Sequence, residues 1–132
     1  MEKYIGTKEV LAEKMSEEKA ILNGWARKNL DNHHMREGYH VRYSDGYDSW
    51  SPREIFEKSY HLVETPLDRL ELEKIELTEK VSKLAALLHS SRINSIQIKP
   101  QLTLLLRQYR LMQGYLRTIN KRILLIKANG AE

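Results

Sequence analysis

Apolar residues recur along the C-terminal half of the chain at alternating spacings of three and four. The first run is Leu67, Leu70, Lys74, Leu77, Val81, Leu84 and Leu88, in which one lysine replaces an apolar residue. The second run has no interruption: Leu102, Leu105, Tyr109, Met112, Leu116, Ile119, Ile123 and Ile126. This spacing predicts two long amphipathic helices, each with the apolar seam of a coiled coil.

The ends of these helices carry recognisable signals. Thr65-Pro66-Leu67-Asp68 predicts a capped helix start, and Asn129-Gly130 predicts a helix stop. The seam pattern fails from His89 to Lys99, so the two helices should fold back on each other as an antiparallel hairpin.

The first 64 residues show other periods and predict a small α+β module. The apolar residues between Lys3 and Ala12 predict an opening strand, and Ser16 is placed to cap a short helix that runs towards Trp25. The polar run Asp31–His34 predicts a loop. A metal site is not favoured there, because adjacent histidines point apart and no third ligand stands at a diagnostic spacing.

A β-hairpin is predicted next. Residues from Gly38 to Tyr43 alternate apolar and polar, and the following Asp45-Gly46 pair is a strong turn signal. Ser51-Pro52-Arg53-Glu54 then predicts a capping box, which opens a helix to about Tyr60. The aromatic side chains of this region are expected to form the core of the module more than a stacking platform.

A second apolar stripe on the last helix lies beyond its seam and consists of Leu104, Leu111, Tyr115 and Leu125. Apolar stripes on two sides of a helix require two partners, and the simplest second partner is another copy of the chain. The predicted fold is therefore α+β. A small β-hairpin and helix module, residues 1–64, precedes a long antiparallel helical hairpin, residues 65–132, that oligomerises.

Composition argues against several function classes. The chain has no cysteine, which excludes a disulfide framework, a thiolate zinc site and a cysteine nucleophile. It has no Gly-x-Ser-x-Gly elbow and no glycine-rich phosphate loop. A non-enzymatic protein without a cofactor is expected. No apolar run approaches the roughly 18 residues of a membrane span, and the N-terminus does not read as a secretory signal, so the expected location is the cytoplasm.

Positive charge is concentrated at the end of the chain. Residues 89–132 contain 8 basic residues and 1 acidic residue. This asymmetry indicates either an anionic partner or a solvated basic helix face. Lys74 has two corresponding interpretations. In the first interpretation, Lys74 fixes the register of the seam while its ammonium reaches water. In the second, it directs a charge at an anionic ligand held between helices.

The second half resembles a known family over about residues 66–128. The residues that carry the resemblance are Arg69-Leu70, Glu73-Lys74-x-Glu76-Leu77, Leu105-Leu106-x-Gln108, Met112, Tyr115 and Arg122-Ile123. They are similar to the phage anti-CBASS cyclic-nucleotide sponges and their crAss-phage-type helical relatives. The first half is similar to a phage module of unknown function, through Tyr4–Lys8 and the segment from Gly38 to Pro52.

The resemblance implies an oligomer of interlocked hairpins that binds cyclic nucleotides between subunits without cleaving them. It implies that Tyr60 stacks on a base and that Lys74 or Arg69 meets a phosphate. Arg107 and Gln108, in the matching part of the last helix, complete the implied ligand-binding set. Sponges of the family lack the N-terminal module.

The expected function is that of a non-enzymatic phage accessory protein in the cytoplasm of the infected host. It would bind and sequester cyclic di- or trinucleotides as a homo-oligomer. One alternative is a helical protein-interaction module without a nucleotide site. Another, less favoured, is a nucleic-acid-binding protein that uses the basic last helix.

Overall fold

The computed structural model describes residues 1–28 and 35–130, so the predicted polar loop Asp31–His34 lies outside the described residues. The chain divides into two compact units, Met1–His61 and Leu62–Glu132. The first unit holds a three-stranded antiparallel sheet with two short helices, and the second holds two long helices. The predicted α+β class is confirmed.

The sheet of the first unit has the strand order β1-β2-β3, with both pairs antiparallel. Its strands are β1 (Leu11–Ser16), β2 (Glu37–Arg42) and β3 (Asp48–Pro52), and its helices are α1 (Glu17–Leu22) and α2 (Arg53–Ser59). His40 lies on the middle strand, opposite Glu13 of β1 and opposite Trp50 of β3. One face of the sheet therefore carries these three side chains together.

The turn between β2 and β3 forms as predicted. The backbone N–H of Tyr43 donates to the carbonyl oxygen of Tyr47 at 2.9 Å, and Gly46 adopts a φ of 88°. A positive φ at this position is the reason for glycine. Asp45 adds a local support, since its Oδ1 accepts from the Tyr47 N–H at 3.0 Å.

Two predictions about the first unit were wrong. Residues 1–10 form no strand, and β1 begins at Leu11, where its pairing with Arg42 at the end of β2 begins. Tyr4 and Ile5 consequently remain more than 80% exposed. Ser51 also does not cap α2. It pairs with Tyr39 inside the sheet, and Pro52 occupies the N-cap position without a side-chain cap.

The predicted cap at Ser16 is confirmed, because its hydroxyl accepts from the Lys19 N–H at 3.3 Å. Strand β1 thus passes directly into α1 at this residue.

The second unit consists of α3 (Pro66–Leu88) and α4 (Leu102–Ala128), joined by short 3-10 turns at Ser91–Asn94 and Lys99–Gln101. The predicted capping box at the start of α3 is confirmed. The Asp68 N–H donates to Thr65 Oγ1 at 3.1 Å, and the Thr65 N–H donates to Asp68 Oδ2 at 3.1 Å.

The seams of α3 and α4 face each other. Leu70, Leu77, Ile119 and Ile123 form the buried core of the hairpin. Glu71, near the start of α3, pairs with Lys127, near the end of α4, at 3.1 Å, so the helices run antiparallel. In the part of the chain that the structure describes, no helix is long and apolar enough to cross a membrane.

Candidate functional site

Lys74 is the one charged member of the α3 seam. It lies one turn after Leu70 and one turn before Leu77, both of which are buried, and it is itself half-buried. Among the described residues no ion pair or side-chain hydrogen bond involves its ammonium. A half-buried cation that has no counter-ion in the described part of the chain is available to an anion.

The other predicted ligand residues of the second unit are exposed. Arg69 lies on the first turns of α3, and Arg107 and Gln108 lie near the start of α4. Lys74 lies between Leu70 and Leu77, which pack in one cluster with Ile119 and Ile123 of the opposite helix. Arg107 precedes Ile119 by twelve residues, or about 18 Å of helix. One hairpin therefore does not bring Lys74 together with Arg107 and Gln108.

Tyr60 ends an aromatic stack in the first unit. Its ring lies 4.9 Å from that of Phe56, and the Phe56 ring lies 4.2 Å from that of Tyr39, with interplanar angles of 22° and 24°. Tyr39 is fixed in turn by a hydrogen bond from its hydroxyl to Glu57 at 2.8 Å, which raises the pKa of Tyr39. The Tyr60 ring, at the C-terminal end of α2, is thus already stacked on Phe56 in the folded chain.

The outer surface of α4 is strongly basic. Its exposed cations are Arg107, Arg110, Arg117, Lys121, Arg122 and Lys127. Within the described chain, Lys127 is the one member of this set with an ion pair to an acidic side chain. The positive charge predicted for the last helix therefore remains largely uncompensated in a single chain.

The predicted second stripe of α4 is exposed beside these cations. Leu104 and Leu111 are each 65% exposed, Leu125 is 64% exposed and Tyr115 is 49% exposed. The exposure of large apolar side chains along one side of a 27-residue helix marks an interaction surface.

A cleft of about 420 Å³ opens where α3 begins and α4 ends. Its lining includes Leu67, Asp68 and Lys127 but none of the predicted ligand residues. Two charged groups of this cleft are already engaged, since Asp68 caps α3 and Lys127 pairs with Glu71. The charged groups Asp68 and Lys127 of this cleft are therefore not free to bind an anion.

Sequence reasoning missed a polar cluster in the first unit. His40 stands alone in the sequence, without a recognisable motif around it, but in the structure it is only 6% exposed. Its Nδ1 lies 3.0 Å from Glu13 Oε1, and its Nε2 lies 2.7 Å from Asp48 Oδ1. The ring also stacks on Trp25, with centroids 3.7 Å apart and an interplanar angle of 9°.

The cluster joins all three strands. The hydrogen bond to His40 lowers the pKa of Glu13, and hydrogen bonds to His40 and then to Arg42 lower the pKa of Asp48. Both ring nitrogens donate together only when the imidazole is doubly protonated. Among the described residues, no group of three or more histidine, aspartate and glutamate side chains is arranged to hold a metal ion. These contacts indicate that His40 has a structural role, in which it links the three strands of the sheet.

Fold and site together define a small α+β protein. It has an antiparallel helical hairpin with one seam cation, a basic outer surface and an exposed apolar stripe. Residues 64–125 match the family model described as Sequestin. The match begins just before α3, includes both 3-10 turns and ends three residues before the end of α4, so it leaves the first unit uncovered. Comparison with curated proteins and with solved structures gave no match.

Proposed function

We propose that this protein is a non-enzymatic phage accessory protein that binds and sequesters cyclic oligonucleotide immune signals. The observation that carries the proposal is the Sequestin match over the helical hairpin, within which Lys74 is half-buried and has no counter-ion among the described residues. A family described by sequestration fits a site that holds an anionic ligand without altering it. The described residues of the hairpin supply exposed cations for binding such a ligand.

The proposed binding unit is a homo-oligomer. The exposed stripe of α4 gives the hairpin a second apolar side, which a further copy of the chain would cover. Assembly would also bring Arg107 and Gln108 of one copy towards Lys74 of another, which the single hairpin cannot do. A ligand between copies would then meet cations from both ends of the hairpin.

The experiment is a thermal-shift screen of the full chain against cyclic di- and trinucleotides, followed by calorimetric titration of those that raise the melting temperature. Bound ligand is then released by heat and analysed by chromatography. Sequestration predicts recovery of intact ligand. If no cyclic nucleotide shifts the melting temperature, the proposed function is wrong and the helical protein-interaction module takes its place.

Two substitutions locate the site. Lys74→Leu should weaken binding by about 30-fold, which corresponds to about 2 kcal/mol for a charged hydrogen bond. It should maintain or raise the melting temperature, because a seam cation disfavours packing. Tyr60→Ala should cost about 1 to 3 kcal/mol per stacked base. Lys80→Leu and Tyr47→Ala are the matched controls, since both side chains are exposed and lie outside the proposed site.

The basic surface of α4 favours a second candidate, which is nucleic-acid binding. Its exposed cations are not neutralised by acidic residues of the same helix, so they are free to contact phosphates. The salt dependence of binding distinguishes nucleic-acid binding from cyclic-nucleotide binding. Binding to a duplex or single strand should weaken steeply as salt rises, whereas a cyclic nucleotide enclosed between copies should respond less.

A further inference from the structure

Asn120 carries a buried polar atom that the hairpin leaves unused. Its side-chain Oδ1 is buried and, in the described part of the chain, has no hydrogen-bond partner. Buried side-chain acceptors are nearly always paired, because an unpaired one loses its water without replacement. Asn120 lies in the middle of α4, directly after the most deeply buried residue of the hairpin core, Ile119.

The fold places Asn120 level with Lys74. Lys74 lies between Leu70 and Leu77 on α3, and these two leucines pack in one cluster with Ile119 and Ile123. Asn120 lies between that pair of isoleucines in the sequence. Both polar residues therefore lie in the layer that this cluster defines.

The two residues also lie on the same side of the seam. Glu71 and Lys127 pair across the helices at 3.1 Å, which fixes one side of the hairpin. Lys74 follows Glu71 by three residues, and Asn120 precedes Lys127 by seven, so each lies on the same helix face as its reference residue. The half-buried lysine and the unpaired acceptor of Asn120 thus lie along one edge of the core.

We infer that Lys74 and Asn120 form one polar layer of the hairpin, in which the flexible Lys74 stem turns so that its ammonium donates a hydrogen bond to Asn120 Oδ1, a bond that the structure itself does not contain. The ammonium has three donors and no acceptor, and it stands on a flexible stem of four carbons. Holding one donor on Asn120 directs the other two outwards. Asn120 is then a positioning residue for the anion-binding cation, and this second part of the inference rests on the proposed function.

The pairing is tested without ligand by a double-mutant cycle on the full chain with Lys74→Met, Asn120→Leu and the double variant. Melting is followed by circular dichroism, to which the long helices contribute most. A direct hydrogen bond predicts that the melting temperature of the double variant departs from the sum of the single changes by about 5 °C. Additive changes would overturn the pairing.

The positioning role is tested by titration with cyclic diadenylate and cyclic triadenylate. Asn120→Leu should weaken binding about 10-fold, while Gln113→Leu, which removes another half-buried amide of α4, should leave it unchanged. Asn120→Asp should weaken binding further, because a carboxylate beside Lys74 competes with the phosphate, although the new ion pair raises the melting temperature.

These results separate the inference from the proposed function. If neither nucleotide binds the wild-type chain but the cycle shows coupling, the proposed function fails and the polar layer stands. If both nucleotides bind the wild-type chain and Asn120→Leu as tightly, the positioning role is overturned. If Asn120→Leu changes the mass of the assembly and the cycle is additive, Asn120 pairs between copies, which contradicts the inference.

Discussion

Gly38 lies where the indole of Trp50 crosses strand β2. A Cβ atom added at this position would stand 2.2 Å from the Ser51 carbonyl oxygen and 2.5 Å from the Trp50 ring, well inside the 3.0 Å that such atoms keep. The ring cannot easily withdraw, because its Nε1 donates to the Met15 carbonyl oxygen at 2.8 Å. Gly38→Ala should therefore force the backbone of β2 and β3 apart.

The size of the effect follows from these contacts. Overpacking costs about 1 to 3 kcal/mol, and a clash with a backbone oxygen belongs at the upper end of that range. Displacing Trp50 also loses its hydrogen bond, for about 1 kcal/mol more. A folded unit of this length has roughly 3 to 9 kcal/mol of stability in total. Gly38→Ala should consequently remove about 3 to 4 kcal/mol, which is between roughly a third and all of the stability of the first unit.

The assay is tryptophan fluorescence, because the positions of the tryptophans make it specific for the first unit. Trp25 and Trp50 are the two tryptophans of the chain, and both lie in the first unit. Their fluorescence during urea titration reports that unit, while circular dichroism reports mainly the long helices. Gly114→Ala is the matched control, because its added Cβ meets only the far end of Arg117 at 3.7 Å and should stabilise α4 by up to about 1 kcal/mol. If Gly38→Ala unfolds at the wild-type urea concentration, the close approach of Trp50 to β2 is refuted.

Further predictions concern the stability and assembly of the two units. Below about pH 4 the first unit should lose stability, because the folded-state pKa values of Glu13 and Asp48 are lowered. Their contribution is complete above the unfolded pKa and is lost as the pH falls through the folded pKa. Tryptophan fluorescence melts at pH 3 and pH 6 should differ, Asp48→Asn should reduce the difference, and equal midpoints for the wild type would count against these pairs. Residues 62–132 expressed alone should give a helical circular dichroism spectrum, and a random-coil spectrum would contradict this independence. Sedimentation of the full chain should show species heavier than the 15.6 kDa monomer, and Leu111→Glu should reduce them. A monomer at every concentration would rule out self-association through α4.

The helical hairpin could be predicted because its signals are local. The seam positions of α4 repeat within two turns of one another, and all eight are buried or half-buried in the structure. The capping box of Thr65 and Asp68 likewise involves residues three apart. Periodicity and caps of this kind are readable without knowing what lies opposite.

The errors came from contacts between distant residues. Ser51 has the residue type of a helix cap, but its pairing with Tyr39 keeps it in β3. The partners of His40 were also missed, because Glu13 is 27 residues away and meets it only through the register of β1 and β2. Alternation along β2 placed His40 on one face, and the hairpin register placed Asp48 close to it. No local signal identified Glu13 as the third member.

The capping box at the start of α3 bears on how binding changes during evolution. Asp68 already accepts from the backbone N–H groups of Glu64 and Thr65, so the chain's own carboxylate occupies the positive end of the helix dipole. The anionic ligand proposed above would then be recognised by side chains such as that of Lys74. Single substitutions exchange side chains without rebuilding the backbone. A hairpin of this kind can therefore lose or change its binding specificity through its side chains while the backbone scaffold persists unchanged.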